Sequence, residues 1–249
     1  VGEVPASTDP HNLVVPPDRF RNQLELLAEA GFEFVTVADF ADRIPVGGKP
    51  PPGLIAVSFD DGMEDNHSVA LPLLHALRVP ATVYVLTGAI GAPNPWLSPD
   101  ARQRMMSREE LRVLHEAGIE LGAHTVNHPD MSALGFEACL AEAEQSRDTV
   151  ASITNGGVRT FAYPFGHYGP AAIEAARAAG FEAAVTCVNR GSWEPYELRR
   201  TLITGRDGIW SFVARVSGIY EPLVLGRAGA IARRGTASLR RRLTRRAAA

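Results

Sequence analysis

Two short clusters hold the side chains with which this chain could do chemistry. Asp60-Asp61-Gly62 directly follows the apolar run 54–59, LIAVSF. Two adjacent ionised carboxylates repel each other. A bound cation resolves the conflict, because one acid coordinates it while the other stays free for proton transfer. On its own such a triplet is more often a turn than a site. The second cluster, His124-Thr125-Val126-Asn127-His128-Pro129, begins where another predicted strand, 119–123, ends. Two imidazoles four residues apart suit two corners of a coordination shell if a turn or tight loop joins them, and Pro129 discourages a continuing helix. Together the clusters supply one acid and two imidazoles, with coordination positions left open and a second carboxylate beside them. That is minimal machinery for metal-assisted hydrolysis.

Such clusters need a scaffold that brings them to one place. Helical spacing of apolar residues predicts helices over 17–30, 66–77, 107–117, 136–153, 170–179 and 209–217, with a short helical turn at 37–43. Ser107 followed by Glu110 reads as a capping box, and Pro72 is expected to shift or kink its helix. Short apolar or β-branched runs predict strands at 34–37, 54–59, 81–86, 119–123, 158–163, 181–187 and 198–203. The run 54–59 reads as a strand covered on both faces. The repeated βα rhythm points to a parallel sheet or barrel, in which ligands gather at the carboxyl ends of the strands. Both clusters fall there.

Composition narrows the partners. The 249 residues suit one large α/β domain, expected over 1–222, followed by a basic tail over 223–249. The net charge of −3 conceals eight arginines and no acid from Gly226 onward, so the preceding body carries −11. An acidic body argues against nucleic acid as a partner, whereas the arginine tail suits weak contact with an anionic surface. No run is long and apolar enough for a membrane span, and no signal peptide is visible, which reads as a cytoplasmic chain. Cys139 and Cys187 have no metal-site spacing and read as two buried thiols.

At the level of motifs the chain resembles the polysaccharide deacetylase family, also called the NodB-homology domain or carbohydrate esterase family four. Ser58-Phe59-Asp60-Asp61-Gly62 is similar to its first motif, His124-Thr125-Val126-Asn127-His128 to its second, and Ala162-Tyr163-Pro164-Phe165-Gly166 to its third. The resemblance covers about residues 17–217. It implies a distorted, incomplete (β/α) barrel of six to seven strands that hydrolyses acetyl groups on glycans. It implies a divalent metal, zinc above all, on Asp61, His124 and His128, and Asp60 as general base toward the attacking water. It also implies an oxyanion donor from the backbone near Phe165, within a substrate wall of Tyr163, Pro164, Phe165 and Gly166. Trp96, in a long loop, reads as a sugar-stacking aromatic.

The chain departs from the family pattern in three places. Ala162 stands where the family has an arginine that orients the base, and Arg199 and Arg200 are the candidate substitutes. The segment 198–204 lacks the histidine of the family's last motif, so His167 is the candidate acid; Trp193 is a candidate remnant of the fourth motif. The opening Val1-Gly2-Glu3 lacks a first strand found in this branch, so the barrel is expected to be open at one edge. Three readings compete. The first is a deacetylase of a polysaccharide or glycan. The second is a deacetylase of a small lipid- or nucleotide-linked sugar or another non-peptide amide. The third is a catalytically silent sugar-binding member.

Overall fold

The computed structural model describes residues 1–2, 9, 12–96, 103–187 and 192–217. The tail expected at 223–249 lies outside them. The chain divides into two compact units, Val1–Leu202 and Ile203–Ala249.

Among the described residues the first unit holds six strands: β1 (Glu33–Val35), β2 (Leu54–Phe59), β3 (Ala81–Val85), β4 (Glu120–Ala123), β5 (Thr160–Ala162) and β6 (Ala183–Val185). They pair in sequence order and all in parallel, forming a curled, open sheet, a half-barrel. Helix α1 (Pro17–Glu29) precedes β1, and helices α2 (Val37–Asp42), α3 (Leu71–Leu77), α4 (Arg108–Glu116), α5 (Phe136–Thr154) and α6 (Pro170–Ala178) supply the crossovers. Parallel neighbours require such crossovers, which explains the βα rhythm of the sequence. In the second unit Asp207 accepts bonds from the Thr204 amide and hydroxyl and pairs with Arg215 of α7 (Ile209–Val216).

The inner face of the sheet is layered with a period of two along each strand, as pleating requires. Its lowest layer is polar: the Thr82 and Thr160 hydroxyls donate to the two oxygens of Glu120 at 2.7 and 2.6 Å. The first turn of α2 closes this end, with the Ala38 amide on Glu120 and the Val37 amide on Thr82. Beside it lies an apolar cluster of Tyr84, Ala162, Ala183, Val185 and Leu198. Asp60 and His124 directly follow the last residues of β2 and β4.

Four sequence expectations need correction or refinement. The run 54–59 is half-buried throughout rather than covered on both faces. β2 pairs with the short β1 over Leu54–Ala56 and with β3 only over Val57–Phe59, so neither end is flanked on both sides. Pro72 does shift its helix: a π-helical turn over Asn66–Ala70 precedes α3, because a residue without N–H cannot continue the ladder. The strand expected at 198–203 is reduced to isolated bridges at Leu198. Leu198 makes two ladder bonds, to Ala184 and from Thr186. The Thr186 carbonyl, which the next ladder bond would use, instead accepts from Arg200 Nε at 2.7 Å. Cys187 is half-buried rather than buried, for the reason given below.

Candidate metal centre

β2 ends at Phe59 and β4 at Ala123, and the parallel sheet sets their carboxyl ends on one rim, separated only by β3. There Asp61, His124 and His128 converge. Asp61 Oδ1 lies 3.5 Å from Nε2 of each histidine and, although buried, has no hydrogen-bond partner among the described residues. Ligand atoms about 2.1 Å from a tetrahedral ion are about 3.4 Å apart, so the spacing fits a shared cation better than hydrogen bonds. His124 is buried, and its Nδ1 lies 2.7 Å from the Ala162 carbonyl. A proton on Nδ1 satisfies that carbonyl and leaves the Nε2 lone pair facing Asp61, as a ligand histidine requires.

The electrostatics of the two adjacent acids differ. Burial pushes the Asp61 carboxyl up to about 6, with the His124 charge opposing and the Asp60 charge adding to the rise. Burial, together with the His124 charge, takes His128 down to about 4 and favours the neutral ligand form. For Asp60, burial also raises the value, but the Arg200 and His124 charges and the Arg200 hydrogen bonds outweigh it, so the carboxyl sits well below its usual range. Asp60 is paired with the Arg200 guanidinium, whereas Asp61 faces the two imidazoles. A second group of ligand-type side chains, Glu64, His67 and Glu110, is found among the described residues. Arg104 already lies against it, 2.5 Å from Glu110 and 4.0 Å from Glu64.

Arg200 grips Asp60 in a two-pronged pair, Nη1 to Oδ1 at 2.6 Å and Nη2 to Oδ2 at 2.8 Å. Of the two arginines the sequence offered, Arg199 lies instead over the Trp193 ring at 4.3 Å. Trp193 packs on Phe40 and the core around Tyr84, so it is a structural aromatic and not part of the rim. Cys187 Sγ donates to Asp60 Oδ2 at 3.3 Å, and burial raises its thiol to about 12, so it acts as a neutral donor. Its place beside Asp60 explains its partial exposure.

The backbone around this centre is strained. Asp61, Thr125, His128 and Phe165 all have positive φ, between 56° and 71°. For residues with a Cβ this costs about 1–2 kcal/mol each. The loop carrying both histidines is pinned from outside. Thr87 and Gly88 donate to the carbonyls of Thr125 and Val126, and a Cβ on Gly88 would come 2.3 Å from the Val126 oxygen. Glu142 of α5 accepts from the Val126 and Asn127 amides and from the Asn127 side chain. Nothing in the sequence pattern singled out Glu142, Cys187 or Gly88.

The remaining expected site residues form a rim. The His128 ring touches Trp96 on one side and Phe165 on another, with centroids 4.8 and 4.6 Å away, and both aromatics are exposed. Pro164–Gly166 is a tight turn, and a Cβ on Gly166 would come 2.4 Å from the Cys187 nitrogen. The Gly166 and His167 amides donate to the carbonyls of Tyr163 and Pro164. Tyr163 itself is buried, ring-stacked on Tyr168 and bonded to the Tyr196 carbonyl, so its side chain belongs to the core. His167 is exposed, with Nδ1 2.9 Å from Asp130 and its ring 5.9 Å from that of Phe165.

An open parallel half-barrel with an Asp-His-His cluster and a second acid at the strand ends places the chain among the NodB-like (β/α) barrels. Residues 47–184 match the family model described as polysaccharide deacetylase, a span that holds all three motifs. The chain belongs to the polysaccharide deacetylase family. Among similar sequences, YxkH of Bacillus subtilis is 23% identical over 176 residues, which are 71% of this chain and 60% of that protein. The chain thus spans less than two thirds of that relative. A poly-β-1,6-N-acetyl-D-glucosamine N-deacetylase of Staphylococcus aureus is 25% identical over 229 residues, 87% of this chain and 76% of that protein. Among solved structures, the Streptococcus pyogenes deacetylase PplD in complex with acetate superposes with a TM-score of 0.73 at 24% identity, covering 86% of this chain and 93% of that one. IcaB from Ammonifex degensii gives 0.70 at 23%, covering 84% and 90%. Family membership and the cluster support a metal-dependent carbohydrate deacetylase.

Proposed function

We propose that the chain removes N-acetyl groups from N-acetylated sugar units of a glycan, using a divalent ion, zinc by preference, held by Asp61, His124 and His128. The observation that carries this reading is the buried Asp61 Oδ1, without a hydrogen-bond partner among the described residues and set between two Nε2 atoms, beside a second acid that already has its own counter-charge. When bound, the ion supplies Lewis acidity toward a water and an acyl oxygen. Asp60 takes a proton from the attacking water; it starts ionised and fixed, as a base must. Pro164 has no N–H, and the Gly166 and His167 amides are spent within the turn, so the Phe165 amide is the turn's donor toward the oxyanion. Trp96 and Phe165 offer faces to a sugar ring. The poly-N-acetylglucosamine deacetylase among the relatives favours a polymeric substrate over a small lipid- or nucleotide-linked sugar.

His167, with its Nδ1 held by Asp130, is the proposed acid for the leaving amine. The experiment is acetate release from N-acetylglucosamine oligomers, with bound metal measured in parallel. Wild type is expected to hold close to one ion per chain and to release acetate. Asp60→Asn should keep the ion and lose activity by about 10²–10⁴-fold, the usual contribution of a general base. His167→Ala should lower kcat while leaving metal content unchanged; an unchanged kcat would remove His167 from the mechanism. A folded wild type that takes up no divalent ion would sink the whole assignment.

A further inference from the structure

We infer that Arg200 is the positioning residue for Asp60, and that Tyr84 and Gly122 form the platform that carries it, in place of an arginine at position 162. The inference rests on the proposed role of Asp60. Arg200 has five N–H donors, and five acceptor contacts await them. Nε donates to the Thr186 carbonyl, Nη1 to Asp60 Oδ1 and Ser58 Oγ, and Nη2 to Asp60 Oδ2 and Cys187 Sγ, at 2.6–3.1 Å. A guanidinium with every donor used has one orientation, and it fixes both oxygens of the acid. Lysine offers three donors from one point and cannot reproduce this fork.

The platform explains why the arginine comes from residue 200. The buried Tyr84 ring lies beneath the guanidinium, 5.5 Å from its carbon. That ring crosses β4 where Gly122 has no side chain: a Cβ there would come 2.5 Å from Tyr84 Cε1 and 2.9 Å from Thr160 Oγ1. Tyr84 and Ala162 belong to one buried core cluster, and Ala162 is fully buried. An arginine at 162 would need room in the same buried cluster that holds the Tyr84 ring. Ala162, Gly122, Tyr84 and Arg200 are therefore one packing solution, with a single large ring among small neighbours carrying a cation brought in from beyond β6.

The test uses the full chain loaded with zinc and two readouts. In the first, Arg200→Ala is expected to lower kcat for acetate release by about 10- to 100-fold, as removal of an orienting partner does elsewhere. Metal content and KM should change little, and guanidinium chloride, well below denaturing concentrations, should restore part of kcat. Arg200→Lys should remain impaired. Tyr84→Leu, which takes the ring from beneath the guanidinium, should lower kcat in the same direction as Arg200→Ala with metal content unchanged. Arg200→Lys with wild-type kcat, or an Arg200→Ala defect that guanidinium does not relieve, would overturn the inference. The second readout needs no activity: a denaturant-unfolding cycle of Arg200→Ala, Asp60→Asn and the double variant. Removing Arg200 alone leaves a buried carboxylate uncompensated, so the double variant should unfold at a higher midpoint than Arg200→Ala. Additive midpoints would overturn the pairing. A wild type that binds zinc, shows the coupling and releases no acetate would refute the proposed function and leave the pairing standing.

Discussion

At the scale of residues, the site turns on how two neighbouring aspartates are made different. A strand places successive side chains on opposite faces, but Asp61 leaves the strand with φ at 71°, which swings its carboxylate toward the histidines while Asp60 stays on the inner face with Arg200. The ordinary repulsion of the pair is resolved by giving one acid a permanent guanidinium and leaving the other for a metal ion. The aromatics that wall His128 make a separate contribution. Trp96 contacts the His128 ring with one part and is about half exposed with the rest, so it offers a surface beside the reacting centre without being a ligand. Trp96→Ala should raise KM for an oligomeric substrate by about 2- to 13-fold, the equivalent of an aromatic contact worth about 0.5–1.5 kcal/mol, with metal content unchanged. Steady-state kinetics on the oligomer would check this, and a fall in kcat at constant KM would assign Trp96 to the chemistry instead.

At the scale of elements, two devices hold the loops that carry the site. Glu142, on the long helix α5, ties down the His124–His128 loop through three hydrogen bonds. Glu142→Ala should therefore weaken zinc affinity by about 10- to 100-fold without removing a ligand, measurable by competition with a chelating indicator. The capping box of α4 is the second device. Glu110 receives the Ser107 amide and hydroxyl and the Arg104 guanidinium, and the Arg104 hydrogen bonds bring its carboxyl down to about 2 against the opposing effect of burial, with Ser107 helping. A carboxyl lowered on folding stabilises fully above its unfolded value of 4.5 and loses that contribution as pH falls toward 2. Glu110→Gln should thus flatten the acid limb of the stability curve between about pH 5 and 2, read as the urea midpoint against pH. An unchanged acid limb would mean that the cap does not respond to charge.

The same devices mark what the sequence made legible. The six strands and the Ser107 box are local patterns, and they were readable because apolar run length, alternation and cap spacing are properties of adjacent residues. The Asp61, His124 and His128 triad was readable because each member follows a recognisable strand. Glu142, Cys187 and Gly88 act across 16, 127 and 38 residues of chain, and no local pattern distinguishes them from a surface acid, a small core residue and a loop glycine. The expected strand at 198–203 failed for a related reason. The Thr186 carbonyl it needed is taken by the side chain of Arg200, a residue of the same segment, and such competition is visible only in three dimensions.

At the scale of the whole molecule, the candidate ligands sit on the carboxyl ends of β2 and β4, with β3 between them, in a sheet left open rather than closed into a full ring. Closing a barrel would hold those ends by hydrogen bonding all round; here they are joined by the sheet on one side and, in the proposed state, by the ion. The unfolded chain has no preformed site, since Asp61 and His124 are 63 residues apart, so binding free energy is added to folding free energy. With zinc at about 100 times its dissociation constant, the linkage is worth about 2.7 kcal/mol. For a chain of this size each kcal/mol moves the melting temperature by about 2–4 °C, so metal removal by a chelator should lower it by about 5–10 °C. Asp61→Asn, which deletes the central ligand while preserving shape, should melt at the same temperature with and without the chelator. A chelator shift equally large in Asp61→Asn would place the stabilising ion elsewhere in the molecule and separate the strand-end cluster from the stability of the fold.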